Sequence, residues 1–240
     1  MEFDPTFDVN SDAGGGDPDA TSPTLRAYHQ LLWSKPLPDG HLFTLEDDGT
    51  YLSHSSSKGQ FLMSSDAAIP TWRYWERMAH LIREMPEADV ESFYRVAYQL
   101  GGMMMFPRNQ VDGLDSLNQA KGKHPLISDR LDLTIECIRL YYAGVDDEGL
   151  NPLGPTIARY SDFFELFGTG EDGFAGYVDF WLLQDMLTPD GSEVDLFLPS
   201  EGFTLPSRPS TFHEYAAYRT KAVAFVEARN ARMLNWVIAA

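Results

Sequence analysis

The stretch Ile127-Ser-Asp-Arg-Leu-Asp-Leu-Thr-Ile-Glu-Cys-Ile-Arg-Leu-Tyr-Tyr142 restricts the fold more than any other. At ~100° per residue, Ile127, Leu131, Ile135, Ile138 and Tyr142 share one face of a helix, and Asp129, Asp132, Glu136 and Arg139 form a narrow stripe elsewhere. Leu133, Cys137 and Leu140 flank that stripe on its far side. A helix apolar on both sides of a polar stripe needs protein against both sides. The spacing therefore predicts a central helix, with its stripe lining a cleft rather than facing bulk water.

The rest of the chain can supply that packing. Its 240 residues are 43% hydrophobic and 13% aromatic, enough for a sizeable core of large side chains. No run approaches the ~18 apolar residues of a membrane span, and the opening residues lack the basic and apolar regions of a leader, so membrane insertion and secretion are disfavoured. A single cysteine, Cys137, excludes an intrachain disulfide and any multi-cysteine metal site, which makes a reducing, cytoplasmic setting the expectation. The formal charge of −18 opposes nonspecific binding to nucleic acid or an anionic membrane. The acids are spread along the chain, which also argues against imitation of DNA.

Turn and cap residues divide the chain. Residues 1–21 read as an acidic loop, ended by Ser22 as an N-cap with Pro23 at the first helical position. That helix runs through Tyr28 to Trp33 and stops at Lys35-Pro-Leu-Pro-Asp-Gly40. Within 41–65, two strand-like runs flank Asp48-Gly49, a hairpin signal, and Gly59-Gln-Phe-Leu-Met-Ser-Ser65 supplies a third strand. From residue 70 the pattern turns mainly helical: Trp72, Trp75, Met78, Ala79 and Ile82 recur at helical spacing, and helices are predicted over 88–100, 127–142, 155–167 and 177–187. Gly101-Gly-Met-Met-Met-Phe-Pro107 reads as a buried strand or turn, and Val194-Asp-Leu-Phe-Leu198 as a short strand. Thr211 and Glu214 make a capping-box pattern that opens a last helix. With no repeat and no low-complexity linker, the expectation is one α+β domain over 1–240, predominantly helical, with a small antiparallel sheet in its N-terminal third.

Two motifs invite a functional reading and fail on spacing. Asp8 to Asp19 carries oxygen-bearing side chains at positions one, three, five and twelve of an EF-hand loop, but Ala13 stands where glycine is needed, Asp19 is shorter than glutamate, and Pro18 breaks the exiting helix. Asx-turns explain the same residues. Gly168-Thr-Gly-Glu-Asp-Gly173 matches a dinucleotide-binding pattern but follows a helix and carries two acids that repel pyrophosphate, so it reads as a helix–helix connection.

The chemical candidates are the stripe and what precedes it. Asp129, Asp132 and Glu136 are like-charge neighbours at three and four residues, each pair unfavourable by roughly 0.2–0.5 kcal/mol in an isolated helix. If buried, they need a cation, a raised pKa or a divalent metal. Asn118, Gln119 and Lys121 offer amides and a cation upstream, while Arg130 and Arg139 offer guanidiniums suited to phosphate or carboxylate. Further acidic pairs, Asp162 with Glu165 and Asp179 with Asp185, make Mg²⁺ held against a substrate phosphate a conceivable cofactor. In this reading Asp129, Asp132 and Glu136 are catalytic, and Asn118, Gln119, Lys121, Arg130 and Arg139 bind a phosphorylated or anionic small molecule or nucleotide. The rival is a non-enzymatic module that binds a protein partner.

The stretches DAGGGDPD, YHQLLWSKPLPDG, LSHSSSKGQFLMSSD, LNQAKG, DRLDLTIECIRLYY and YVDFWLLQD together resemble a family of uncharacterised bacterial proteins over nearly the whole chain. The resemblance implies a bacterial or phage origin and a single structural unit that includes the acidic opening loop. It implies no reaction and no catalytic residue.

Overall fold

Ser22 ends the opening loop as its sequence predicts. Its hydroxyl accepts the Leu25 N–H, and Pro23 begins α2 (Pro23–Trp33). The loop itself holds one helical turn, α1 (Pro18–Thr21), capped by the Asp17 carboxylate. The computed structural model describes residues 2–239. After α2 the chain forms a two-strand antiparallel ribbon, β1 (Lys35–Pro36) and β2 (Leu42–Phe43).

The second sheet has four antiparallel strands in the order β3 (Glu46–Asp47), β4 (Leu52–Ser56), β5 (Gly59–Ala67) and β6 (Met103–Pro107). The predicted hairpin is present, with Gly49 at a φ of 86° that glycine adopts without strain. All five β6 residues are buried, so the glycine-methionine stretch takes the strand option. Covered on both faces, that strand has no reason to alternate apolar with polar residues.

The remaining helices are α3 (Ala79–Ile82), α4 (Glu87–Ala97), α5 (Leu117–Lys123), α6 (Leu131–Tyr142), α7 (Gly154–Ala158), α8 (Ser161–Phe164), α9 (Gly170–Phe180) and α10 (Phe212–Ala239). The helical spacing from Pro70 is only partly realised: Trp72 has a φ of 50°, and a 3₁₀ turn at Glu76–Met78 leads into α3. Residues 155–167 break into α7, α8 and a 3₁₀ turn. The helix expected over 177–187 instead occupies 170–180, its first turn stabilised by Glu171 and Asp172 beside the positive end of the helix. The candidate strand at 194–198 makes a single bridge, Leu187 to Val194. The capping box before α10 forms: Thr211 Oγ1 accepts the Glu214 N–H, and the Glu214 carboxylate accepts the Thr211 N–H.

α6 is central as its two apolar flanks require. Leu131, Leu133, Ile135, Cys137 and Ile138 are all buried in one core shared by the whole α+β domain. Helix α10 packs tightly against Gly101, where an added Cβ would lie 2.4 Å from the Val226 carbonyl. Arg229, fully buried on α10, donates to the carbonyls of Gly101, Met103 and Trp181 and so ties the helix to β6 and to the end of α9.

Candidate functional site

One sequence expectation about the stripe is corrected by the backbone. Asp129 is not on the helix: Ser128 and Asp129 have φ of 51° and 68°, the left-handed region, and Arg130 is the extended N-cap before α6 starts at Leu131. That kink separates the stripe into three ion pairs rather than one acidic surface.

The first lies at α5. Lys121, fully buried, donates to the carboxylates of Asp66 on β5, at 2.6 Å, and of Asp129. Burial opposes the lysine's charge, but the two carboxylates together outweigh it and hold its pKa above the ordinary value. Burial, with the neighbouring Asp129 charge, raises the pKa of Asp66 despite the pull of Lys121. The second pair is Arg130 with Asp132, both side chains fully buried. Arg130 Nε reaches Asp132 Oδ1 at 3.0 Å, the Phe197 N–H reaches Oδ2 at 2.8 Å, and the guanidinium also donates to the Ser207 and Leu198 carbonyls. The third is Arg139 with Glu136, bidentate at 2.8 and 2.7 Å. Its hydrogen bonds, offset in part by burial, raise the arginine's pKa.

The two amides expected to bind ligand have local partners. Gln119 completes a capping box with Ser116 at the start of α5, and Asn118 donates to Ser64 Oγ at 3.3 Å. The opening acids are likewise engaged: Asp8 accepts the Asn10 N–H, Asp12 accepts from Ser22 Oγ and the Thr24 N–H, and Asp19 accepts the Ser65 N–H. Among the described residues no three His, Cys, Asp or Glu side chains gather in a way that could hold a metal ion. The acidic pairs proposed for Mg²⁺ are divided too, Glu165 joining Lys58, Asp185 joining Arg232, and Asp179 accepting from Gln184.

One member of the stripe does reach an open space. A cleft of about 540 Å³ runs along α9, lined by Arg139, Tyr142, Phe174, Val178, Gln184 and Leu187, with Glu171 and Asp179 also on its wall. Arg139 Nε and Nη2 are taken by Glu136, while Nη1 makes no hydrogen bond among the described residues. The arginine side chain keeps 27% of its surface exposed. Beside this cleft, a smaller cavity of about 210 Å³ takes in Gly168, Thr169 and Gly170 together with Asp146 and Glu165, an acidic surround that does not suit phosphate. The apolar wall of the larger cleft was invisible in the sequence, because Phe174, Val178 and Leu187 carry the same signal as core residues.

Fold and site together define an α+β protein with an apolar cleft at the end of its central helix, and no helix among the described residues is long and apolar enough to cross a membrane. The chain belongs to the family of unknown function DUF6994, whose model matches residues 3–233, so the resemblance over nearly the whole chain is borne out. No curated protein and no solved structure matches it.

Proposed function

We propose that the protein binds a small monoanionic molecule with an apolar body in the cleft along α9, and that Arg139 meets the negative charge. The observation that supports this most is the free edge of the Arg139 guanidinium beside Tyr142, Phe174, Val178 and Leu187, the pairing of one convergent polar group with apolar walls that small-molecule sites use. Glu171 and Asp179 on the same wall oppose a polyanion, which moves the expected ligand away from nucleoside triphosphates and toward a single carboxylate. The role is binding: Asp129 and Asp132 lie outside the cleft lining, and Glu136 serves to hold Arg139. The setting we propose is a bacterial cytoplasm, in keeping with a single cysteine that is buried and unpaired.

A second reading, docking of a protein partner, is favoured by Tyr74 and Trp75, 77% and 41% exposed, with Arg73 stacked over Tyr74 and Arg208 over Trp75. Arginine and aromatic residues are what contact centres of interfaces are made of.

Thermal melts against aromatic monocarboxylates, amino acids and nucleotides test the first reading. At a hundredfold excess over Kd a ligand should stabilise by about 2.7 kcal/mol, or roughly 5–10 °C. Arg139→Gln should remove the shift while leaving the unliganded melting temperature within a few degrees. The reading fails if no monoanion shifts the wild type, or if the variant shifts equally.

A further inference from the structure

Lys35 differs from every other lysine in the chain. Lys58, Lys121, Lys123 and Lys221 each reach a carboxylate, whereas Lys35 reaches none among the described residues although it is only 7% exposed. Its nitrogen instead lies 5.0 Å from the ring centre of Trp33, 4.8 Å from that of Phe180 and 5.0 Å from that of Trp236. Three ring faces attract a cation but accept no conventional hydrogen bond. The charged amine has therefore lost water without gaining an anion.

The groups facing it leave that deficit in place. Burial lowers the Lys35 pKa to about 8, Asp179 on α9 pulls it up, and Arg229 on α10 pushes it down. Arg229 lies 5.9 Å from the same Trp33 ring. Lys35 also lines a cavity of about 500 Å³ with Pro36, Leu37, Phe180, Leu182 and Trp236, an apolar chamber that Asp179 borders. An amine desolvated in an apolar pocket next to another cation is the arrangement that activates lysine as a nucleophile.

We propose that Lys35 is a nucleophilic amine that captures the carbonyl group of an apolar aldehyde or ketone entering this cavity. The Nζ lone pair attacks the carbonyl carbon, the C=O π pair moves to oxygen, and a proton passes from nitrogen to oxygen to give a carbinolamine. Loss of that oxygen as water forms C=N, with no change in oxidation state. Asp179, the carboxylate lining the cavity, carries the proton. The site is separate from the anion cleft: the two share Ala175 and Asp179 of α9, but Arg139 does not line this one.

Competitive labelling of the native protein tests it. Benzaldehyde with cyanoborohydride as reductant traps each imine as a benzylamine, and peptide mass spectrometry compares Lys35 with exposed Lys221 in the same tube. At pH 7 the ratio should be tenfold or more, since an amine of lowered pKa holds on the order of a hundredfold more free base there. The ratio should fall as pH rises past 8 toward 10. Lys35→Arg, checked by circular dichroism, should remove the fast modification and leave the slow ones. Lys35 unmodified while Lys221 reacts, a ratio near one at pH 7, or a ratio independent of pH would overturn the proposal, whatever the outcome for Arg139.

Discussion

Replacing Asp132 with asparagine tests whether the polar stripe of the central helix is a site or a structural joint. Three donors converge on this carboxylate: two from Arg130, and the Phe197 N–H. Both Arg130 and Asp132 are fully buried. Asparagine leaves the guanidinium without its counter-charge and turns one acceptor into a donor that faces donors. Breaking one side of such a pair costs about 3–5 kcal/mol, because the remaining charge stays buried. Relief of repulsion toward Glu136, four residues on, returns only about 0.2–0.5 kcal/mol, and less here since Glu136 has Arg139 as partner. For a chain of this length the net loss should lower the melting temperature by roughly 6–20 °C. Urea unfolding should show the same loss as a lower midpoint at constant slope. A variant as stable as the wild type, or more stable, would refute the reasoning and leave Asp132 free for a role other than a structural joint.

His29 and Cys137 give two further expectations. His29 is 2% exposed and bonded to Ser65 Oγ and the Trp33 indole N–H, and burial together with Arg229 and Arg26 lowers its pKa to about 3. The unfolded chain, titrating near 6.5, takes up the proton first as pH falls, so the stability His29 contributes is full above 6.5 and is lost between there and about 3. At pH 4.5 the loss should approach 3 kcal/mol, and paired melts at pH 7 and 4.5 should show a smaller drop for His29→Gln. Cys137 is fully buried and burial raises its pKa, so a disulfide thiol reagent should modify it only at the rate of unfolding. Modification within seconds in native buffer would show that this side of α6 opens.

What the sequence made legible is what short-range chemistry decides. Ser22 with Pro23, Asp48 with Gly49, and Thr211 with Glu214 each make their turn or cap through neighbours a few residues away, and each stands in the fold. The centrality of α6 was readable for another reason: apolar residues on two flanks can be satisfied only by protein on both. Its start was not readable, because nothing local predicts that Ser128 and Asp129 adopt left-handed φ; that turn lets Asp129 meet a lysine on α5. Helix α5 itself was missed. It is seven residues long with Gly122 inside, and what holds it is the Ser116–Gln119 box and the burial of Leu117 and Lys121.

The candidate sites were harder to read because spacing reveals like charges along one helix but not the cations that fold onto them. Asp66 lies 55 residues from Lys121, and the two rings that join Trp33 around Lys35 come from α9 and α10. Net charge says nothing of where the cations lie. The chain carries −18 overall, yet Lys121, Arg130 and Arg229 are fully buried, and Arg229 is held by carbonyls with no carboxylate in contact among the described residues. Acids are abundant on the surface, where hydration costs them nothing, while these cations serve as interior joints. Lys35 and Arg229 lie 5.0 and 5.9 Å from the Trp33 ring centre, and among the described residues neither makes an ion pair, Asp179 acting on Lys35 only at longer range. A free amine is favoured there more than at Lys58, Lys123 and Lys221, which each pair with a surface carboxylate, or at buried Lys121, which is held between two.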